Sequence, residues 1–271
     1  MSGDTLVDEK TTESKSGLLR ALSVLSLISD RSPETLGVST IARELDLPKA
    51  VAHRILKEFT AASFLVFDDR TKQYRLGPDA LAVGMAALRS LDVPRIARPH
   101  LQALVTQTGE TATLSVRDGW SRVYVDQILS PHEIRMAISL GTSHPLHAGS
   151  SSKVILAHLS DAEVEEYLEH ARLTRVTSST ITDVVALRTE LAHVRQTGYA
   201  VSLGERQAGA GSVAAPVHRA SGEVFGSISL CGPRDRFDDE ACERYGVLVT
   251  ATAAQISKEL GHRVNGNGVQ S

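Results

Sequence analysis

The sequence predicts an α+β protein of two domains: a small helical domain closed by a β-hairpin, then an antiparallel sheet covered by helices. Three observations lead there. At 271 residues the chain exceeds the usual size of one domain. Residues 16–61 carry apolar side chains at helical spacing with two tight interruptions, and residues 64–76 turn to β-rich runs. Beyond Asp92, neighbouring β-rich runs and clustered helical stretches replace the regular strand–helix alternation of a parallel sheet.

The first helix is expected over Ser16–Ser29, where Leu18, Leu22, Leu25 and Ile28 form one apolar stripe. Asp30, Ser32, Pro33 and Gly37 mark a loop. Ser39 reads as the N-cap of a short helix to Leu45, with Ile41, Ala42 and Leu45 facing inward. Asp46 interrupts the pattern, Leu47 is apolar, and Pro48 has the fixed φ that suits the start of another helix. Two short helices joined this tightly form a helix-turn-helix. The second runs from Pro48 to Ala61, buries Val51, Ala52, Ile55, Leu56 and Phe59, and exposes Lys49, Ala50, His53, Arg54 and Lys57. Phe64–Phe67 and Lys72–Leu76 then flank a polar tip of Asp68, Asp69, Arg70 and Thr71, a hairpin without an Asn-Gly turn. Pro78 opens a helix to Arg89. The expected division is a tail over 1–14, a winged helix-turn-helix over 15–77, a linker helix over 78–92, a sheet domain over 93–263 and a tail over 264–271.

In the second domain a helix over Pro94–Gln107 stops at Gly109. Strands are expected at Thr111–Val116 and Arg122–Ile128, separated by Asp118-Gly119, with a third near Ile134–Ile138. Helices follow at Ser150–Leu159, Asp161–His170 and Thr182–Thr197, then strands at Tyr199–Leu203, Ser212–His218 and Val224–Leu230. A helix of about 25 residues from Asp238 closes the domain.

Composition narrows the function. A net charge of −3 gives no sign of a polyanionic partner, so any basic patch is local. Two cysteines, Cys231 and Cys242, rule out a disulfide framework and fit a reducing cytoplasm. No run of about 18 apolar residues is present, so no membrane partner is expected. The acidic opening segment lacks the core of a secretory signal. The local basic patch lies on the second helix of the pair, where Lys49, His53, Arg54 and Lys57 face a single acid, Glu58. Such a helix fits the DNA major groove, and small Ala50 lets it sit deep. Arg54 is the candidate reader of guanine, while Lys49 and Lys57 suit phosphates. Ser39 belongs to the same DNA-facing set. Arg70, Lys72 and Arg75 of the hairpin suit the adjacent backbone or minor groove.

The stretch from Val38 to Gly84 resembles the DNA-binding domain of the isocitrate lyase regulator (IclR) family, through Leu47-Pro48, His53-Arg54 and Tyr74-Arg75-Leu76-Gly77. Asp46 stands where the family usually has a turn glycine, a tolerable change because Asp enters left-handed backbone more readily than most residues. Lys49-Ala50-Val51 replaces a segment that commonly carries hydroxyl residues. The likeness continues through Gly141, Leu146-His147-Ala148, Gly198-Tyr199-Ala200, Val213-Ala214-Ala215-Pro216-Val217 and Ser227 to Pro233, and so covers nearly the whole chain. It implies a GAF-like effector domain, dimers or dimers of dimers, double-stranded operator DNA as partner, and repression of a catabolic operon.

For the effector, the helix opening at Gly149–Ser152 offers free N–H groups and three serine hydroxyls to an anion. Ser229 and Cys231, two apart on a strand, share a face. In relatives that bind small carboxylates, the resemblance places ligand-contacting positions at Ser150, Ser151, Ser202, Ser212, Ser229 and Cys231. Leu114, Met136, Leu146 and Leu203 are expected as apolar walls, and His147 as an orienter of the helix start. The expected effector is an organic or aromatic carboxylate, with no cofactor and no metal. Catalysis by Cys231 with His147 has no local signature behind it, and the Gly204–Ser212 loop has Ala210 where a phosphate-binding loop needs lysine. His144 and His147 lack the further ligands of a zinc site.

Overall fold

The computed structural model describes residues 16–89 and 92–262; both expected tails, 1–14 and 264–271, lie outside them. The chain divides into a unit spanning 1–86 and another spanning 87–271.

The first unit opens with α1 (Gly17–Arg31), whose N-cap Ser16 accepts from the Leu19 amide at 3.2 Å. Strand β1 (Leu36–Gly37), helices α2 (Val38–Glu44) and α3 (Lys49–Ala61), the hairpin β2 (Leu65–Asp68) and β3 (Gln73–Leu76), and helix α4 (Pro78–Arg89) follow. Val24, Ile28, Ile41, Ile55, Leu56 and Leu65 form the core. The stripe on α1 is therefore shorter than its spacing implies. Ile28 is buried and Leu25 packs at the core's edge, but Leu18 and Leu22 are exposed.

Three local choices make this unit. Asp46 adopts φ 50°, and the Leu47 amide then closes on the Ala42 carbonyl at 2.9 Å, which sets α3 across α2. Ser39 is not the N-cap. The unexpected strand β1 pairs with β3 through Leu36↔Tyr74 and Gly37↔Gln73, so the chain arrives extended and turns helical at Val38, with Gly37 as the cap residue. At the hairpin tip, the Asp68 carboxylate accepts from the amides of Arg70 (2.8 Å) and Thr71 (3.2 Å), and Lys72 takes φ 59°. This side-chain turn replaces the missing Asn-Gly. Gly77 ends the wing because a Cβ there would lie 2.3 Å from the Ser63 carbonyl oxygen.

The second unit contains α5 (Asp92–Thr108), β4 (Thr111–Asp118), β5 (Ser121–Ile128), β6 (Ser143–Pro145), α6 (Ser150–Ala157), α7 (Asp161–His170) and α8 (Val184–Thr197). It ends with β7 (Ala200–Leu203), β8 (Ala210–His218), β9 (Val224–Pro233) and α9 (Asp239–Glu259). The six strands form one antiparallel sheet in the order β6-β5-β4-β9-β8-β7. Leu101 and Val105 of α5 and Tyr245, Val249 and Ile256 of α9 pack with Leu114, Val213, Ile228 and Leu230. A separate cluster joins Val154 and Ile155 of α6, Leu168 of α7 and Leu187 and Leu191 of α8 to Ala200 and Ala214. Because strand side chains alternate, the residues between the first set are Thr113, Ser115 and Ser229. They are polar, buried and turned away from α5 and α9.

The strand expected near Ile134–Ile138 does not form; β6 pairs with β5 instead. Side chains satisfy that segment's backbone. The Gln127 amide donates to the Ile138 carbonyl at 2.7 Å and accepts from its N–H at 2.9 Å, and the Thr111 hydroxyl donates to the Met136 carbonyl. Among the described residues, no helix is long and apolar enough to cross a membrane.

Candidate functional sites: a basic helix face and a cationic pocket

The first site is the outer face of α3. Ala52, Ile55 and Leu56 are buried and hold the helix, whereas Lys49, Ala50, His53, Arg54 and Lys57 are exposed. Among the described residues, Lys49, His53, Arg54 and Lys57 have no hydrogen-bonding or ion-pair partner for their side chains. Ser39 is exposed in the first turn of α2. On the wing, Arg70, Lys72 and Arg75 are all exposed. Lys72 lies 3.4 Å from Asp69 and 5.6 Å from the Phe67 ring centroid.

The second site is a pocket in the other unit, on the sheet face opposite α5 and α9. Its wall is built by α6, by β5, β8 and β9, by the loop after β7 and by the segment around Met136. The enclosed space is small, about 40 Å³, and opens to solvent at its mouth. Gly149 enters α6 with φ 91°, and a side chain there would press on the Arg206 stem at 3.2 Å. Of the expected contacts, Ser150, Ser151, Ser202, Ser212, Ser229, Cys231 and Met136 line this pocket. Ser150 and Ser212 share a hydrogen bond of 2.7 Å, as do Thr113 and Ser229.

Leu114, Leu146 and Leu203 do not line it. Leu114 follows Thr113 on β4 and Leu203 follows Ser202 on β7, so strand alternation turns both to the opposite face, where they pack with the α5–α9 core. Leu146 is fully buried in the α6–α8 cluster. His147 is also buried, bonded to the Tyr167 hydroxyl (3.1 Å) and the Thr174 carbonyl (3.0 Å). It fixes the segments around the helix start and stays out of the pocket lining.

The charged residues of the wall escape any reading of local motifs. Arg122 on β5 is 1% exposed. It donates to Ser152 Oγ at 2.8 Å, Ser115 Oγ at 3.0 Å and the Tyr124 hydroxyl at 2.9 Å. Arg206 donates to the same phenol oxygen at 2.8 Å. The only signal available was that Arg122 and Tyr124 are two apart on a strand and so share a face. Glu205 accepts from the Gly149 amide at 2.9 Å and from buried Lys153 at 2.6 Å; Lys153 also donates to Glu190 at 2.6 Å and the Val201 carbonyl at 2.8 Å. Burial, and then the nearby Arg206 and Arg122 cations, hold His144 neutral with a pKa of about 3. Burial pushes the Cys231 thiol up to about 12. It is thus an un-ionised thiol at neutral pH, unsuited to nucleophilic attack. No group of three or more His, Cys, Asp or Glu among the described residues is arranged to hold a metal.

Comparison with known proteins bears on both units. The family model "IclR helix-turn-helix domain" matches residues 17–69, and "Bacterial transcriptional regulator IclR C-terminal" matches residues 85–258. The HTH-type transcriptional regulator BhcR of Paracoccus denitrificans is 34% identical over 244 residues, covering 90% of this chain and 87% of that protein. The HTH-type transcriptional repressor AllR of Escherichia coli K12 is 31% identical over 244 residues, covering 90% of each. Among solved structures, an IclR homologue from Microbacterium hydrocarbonoxydans complexed with 4-hydroxybenzoate superposes with a TM-score of 0.73 at 26% identity. That match covers 90% of this chain and 99% of the other.

Proposed function

From the premise that this chain belongs to the IclR family of bacterial transcriptional regulators, we propose that it is a cytoplasmic, dimeric repressor of a metabolic operon that responds to a small carboxylate. It is a DNA-binding regulator with a ligand-binding C-terminal domain and not an enzyme. The finer reading rests on one observation above all. The side chains of Lys49, His53, Arg54 and Lys57 leave one face of α3 unpaired, while the opposite face anchors the helix in the core. Seated in a major groove, that face offers Arg54 to base edges and Lys49 and Lys57 to phosphates, with Arg70, Lys72 and Arg75 on the flanking backbone.

Two further observations support the remaining parts. Leu18, Leu19 and Leu22 on α1 and Leu81, Val83 and Met85 on α4 are exposed. That much apolar surface suits burial against a second copy, and paired recognition helices meet half-sites one helical turn apart. AllR is a repressor and the Microbacterium homologue holds 4-hydroxybenzoate, so repression and a carboxylate effector are the economical readings here. The effector shifts the equilibrium between DNA-bound and free states only by its differential affinity for the two.

Gel shifts with the DNA upstream of this chain's gene and of neighbouring genes test the proposal. Retention of a discrete fragment, lost on adding one of a panel of carboxylates, is the expected result. Absence of tight binding to any duplex at moderate ionic strength would overturn the assignment.

A further inference from the structure

Resting on the reading of this pocket as the effector site, we propose that the effector is a small acid carrying two negative charges, held by Arg122 and Arg206 across the Tyr124 hydroxyl. The premise is a charge imbalance. Elsewhere in the same unit, buried charges are matched: Lys153 has Glu190 and Glu205, and Glu110, 2% exposed, has Arg236 in a two-bond pair. Among the described residues, Arg122 has no such acid. Its three hydrogen bonds all end on neutral oxygens, those of Ser152, Ser115 and Tyr124. A buried cation without a counter-ion is costly to keep.

Arg206 doubles the imbalance. It donates to the oxygen that Arg122 already uses, and the two guanidinium carbons lie 4.1 and 5.4 Å from the Tyr124 ring centroid. Two like charges thus converge on one uncharged phenol. Of the lining residues only Glu205 is acidic, and its two oxygens are occupied by Lys153 and the Gly149 amide. His144, edge-on to Tyr124, stays neutral and adds no third positive charge. The phenol oxygen accepts two bonds, which leaves its own proton for a third partner. Each guanidinium fork retains unused N–H groups, since Arg has five donors. A dianion matches both cations, a monoanion leaves one unmatched, and a neutral compound leaves both. The small enclosed space restricts the dianion to a short chain. Short dicarboxylates carry this chemistry.

Calorimetric titration of the intact protein separates the alternatives. The probes are succinate and malate as dicarboxylates, butyrate and glycolate as monoanions, and inorganic sulfate. A dicarboxylate should bind about ten- to a hundredfold more tightly than its monoanionic counterpart, as expected when a charge-assisted pair is gained. Arg206→Gln and Tyr124→Phe should each shrink that ratio towards unity. Arg122 is so deeply embedded that its replacement risks the fold, so the partly exposed Arg206 carries the test. Equal affinity for monoanions and dianions, or sulfate matching every organic acid, would overturn the proposal while leaving a carboxylate-responsive regulator intact. Failure of all the organic acids to bind would overturn both.

Discussion

The outer face of α3 and the pocket of the sheet domain both present cations, yet they hold them in opposite ways. On α3 the cations are exposed and unpaired, so water solvates them at little cost until a polyanion displaces it. In the pocket unit Arg122 and Lys153 are each 1% exposed, and every hydrogen bond to them has been arranged by the fold. The contrast teaches where each charge does its work. A surface cation contributes to encounter and register with a partner and almost nothing to folding. A buried one is tied to the stability of its own domain, because removing a partner strands the remaining charges in low dielectric.

The sharpest way to break this contrast is Lys153→Met. It strands Glu205, whose side chain is 8% exposed, beside Glu190, and should cost about 3–5 kcal/mol of stability. The single tryptophan, Trp120, sits in the β4–β5 turn against Tyr167 of α7, so its fluorescence during urea unfolding reports on this unit. Lys49→Met in the same assay should stay within about 0.5 kcal/mol of the parent. Similar losses for the two variants would erase the distinction between buried and surface cations.

A second measurement sharpens the α3 side. Arg54→Ala should weaken operator binding by about 1–3 kcal/mol if the guanidinium reads a base edge, with a much smaller loss on random duplex. Competition gel shifts give both numbers. Equal loss on the two DNAs would reassign Arg54 to the phosphates.

The same contrast explains what the sequence made legible. Every element of the α3 face lies within one helix, so periodicity alone sorted Lys49, His53, Arg54 and Lys57 from Ala52, Ile55 and Leu56. Asp46 at φ 50° was readable because few residue types enter that region. The pocket serines and Cys231 were found through ordered motifs. Arg122 and Arg206 were not, since their common partner Tyr124 joins β5 to a loop about 80 residues away. Leu114 and Leu203 failed on phase. The antiparallel pairing Thr113↔Ser229 and Leu114↔Ile228 makes the pocket face of this sheet the polar one, whereas apolar strand residues are ordinarily read as the side facing any cavity. The small strand β1 was hidden because two residues, Leu36 and Gly37, carry no period at all.

The smallest effect tests the α3 face as an electrostatic device rather than a reading device. Lys57 is exposed, near the middle of α3 and unpaired among the described residues. A lysine that neutralises one phosphate releases condensed counterions, so its loss lowers affinity for all duplexes alike and flattens the dependence on salt. Lys57→Ala should therefore reduce the slope of log affinity against log salt by about one unit, with operator and random DNA shifting together. Fluorescence anisotropy across a salt series measures that slope directly. An unchanged slope with a weakened operator would mean that Lys57 touches a base, and the division of labour between Arg54 and its flanking lysines would have to be redrawn.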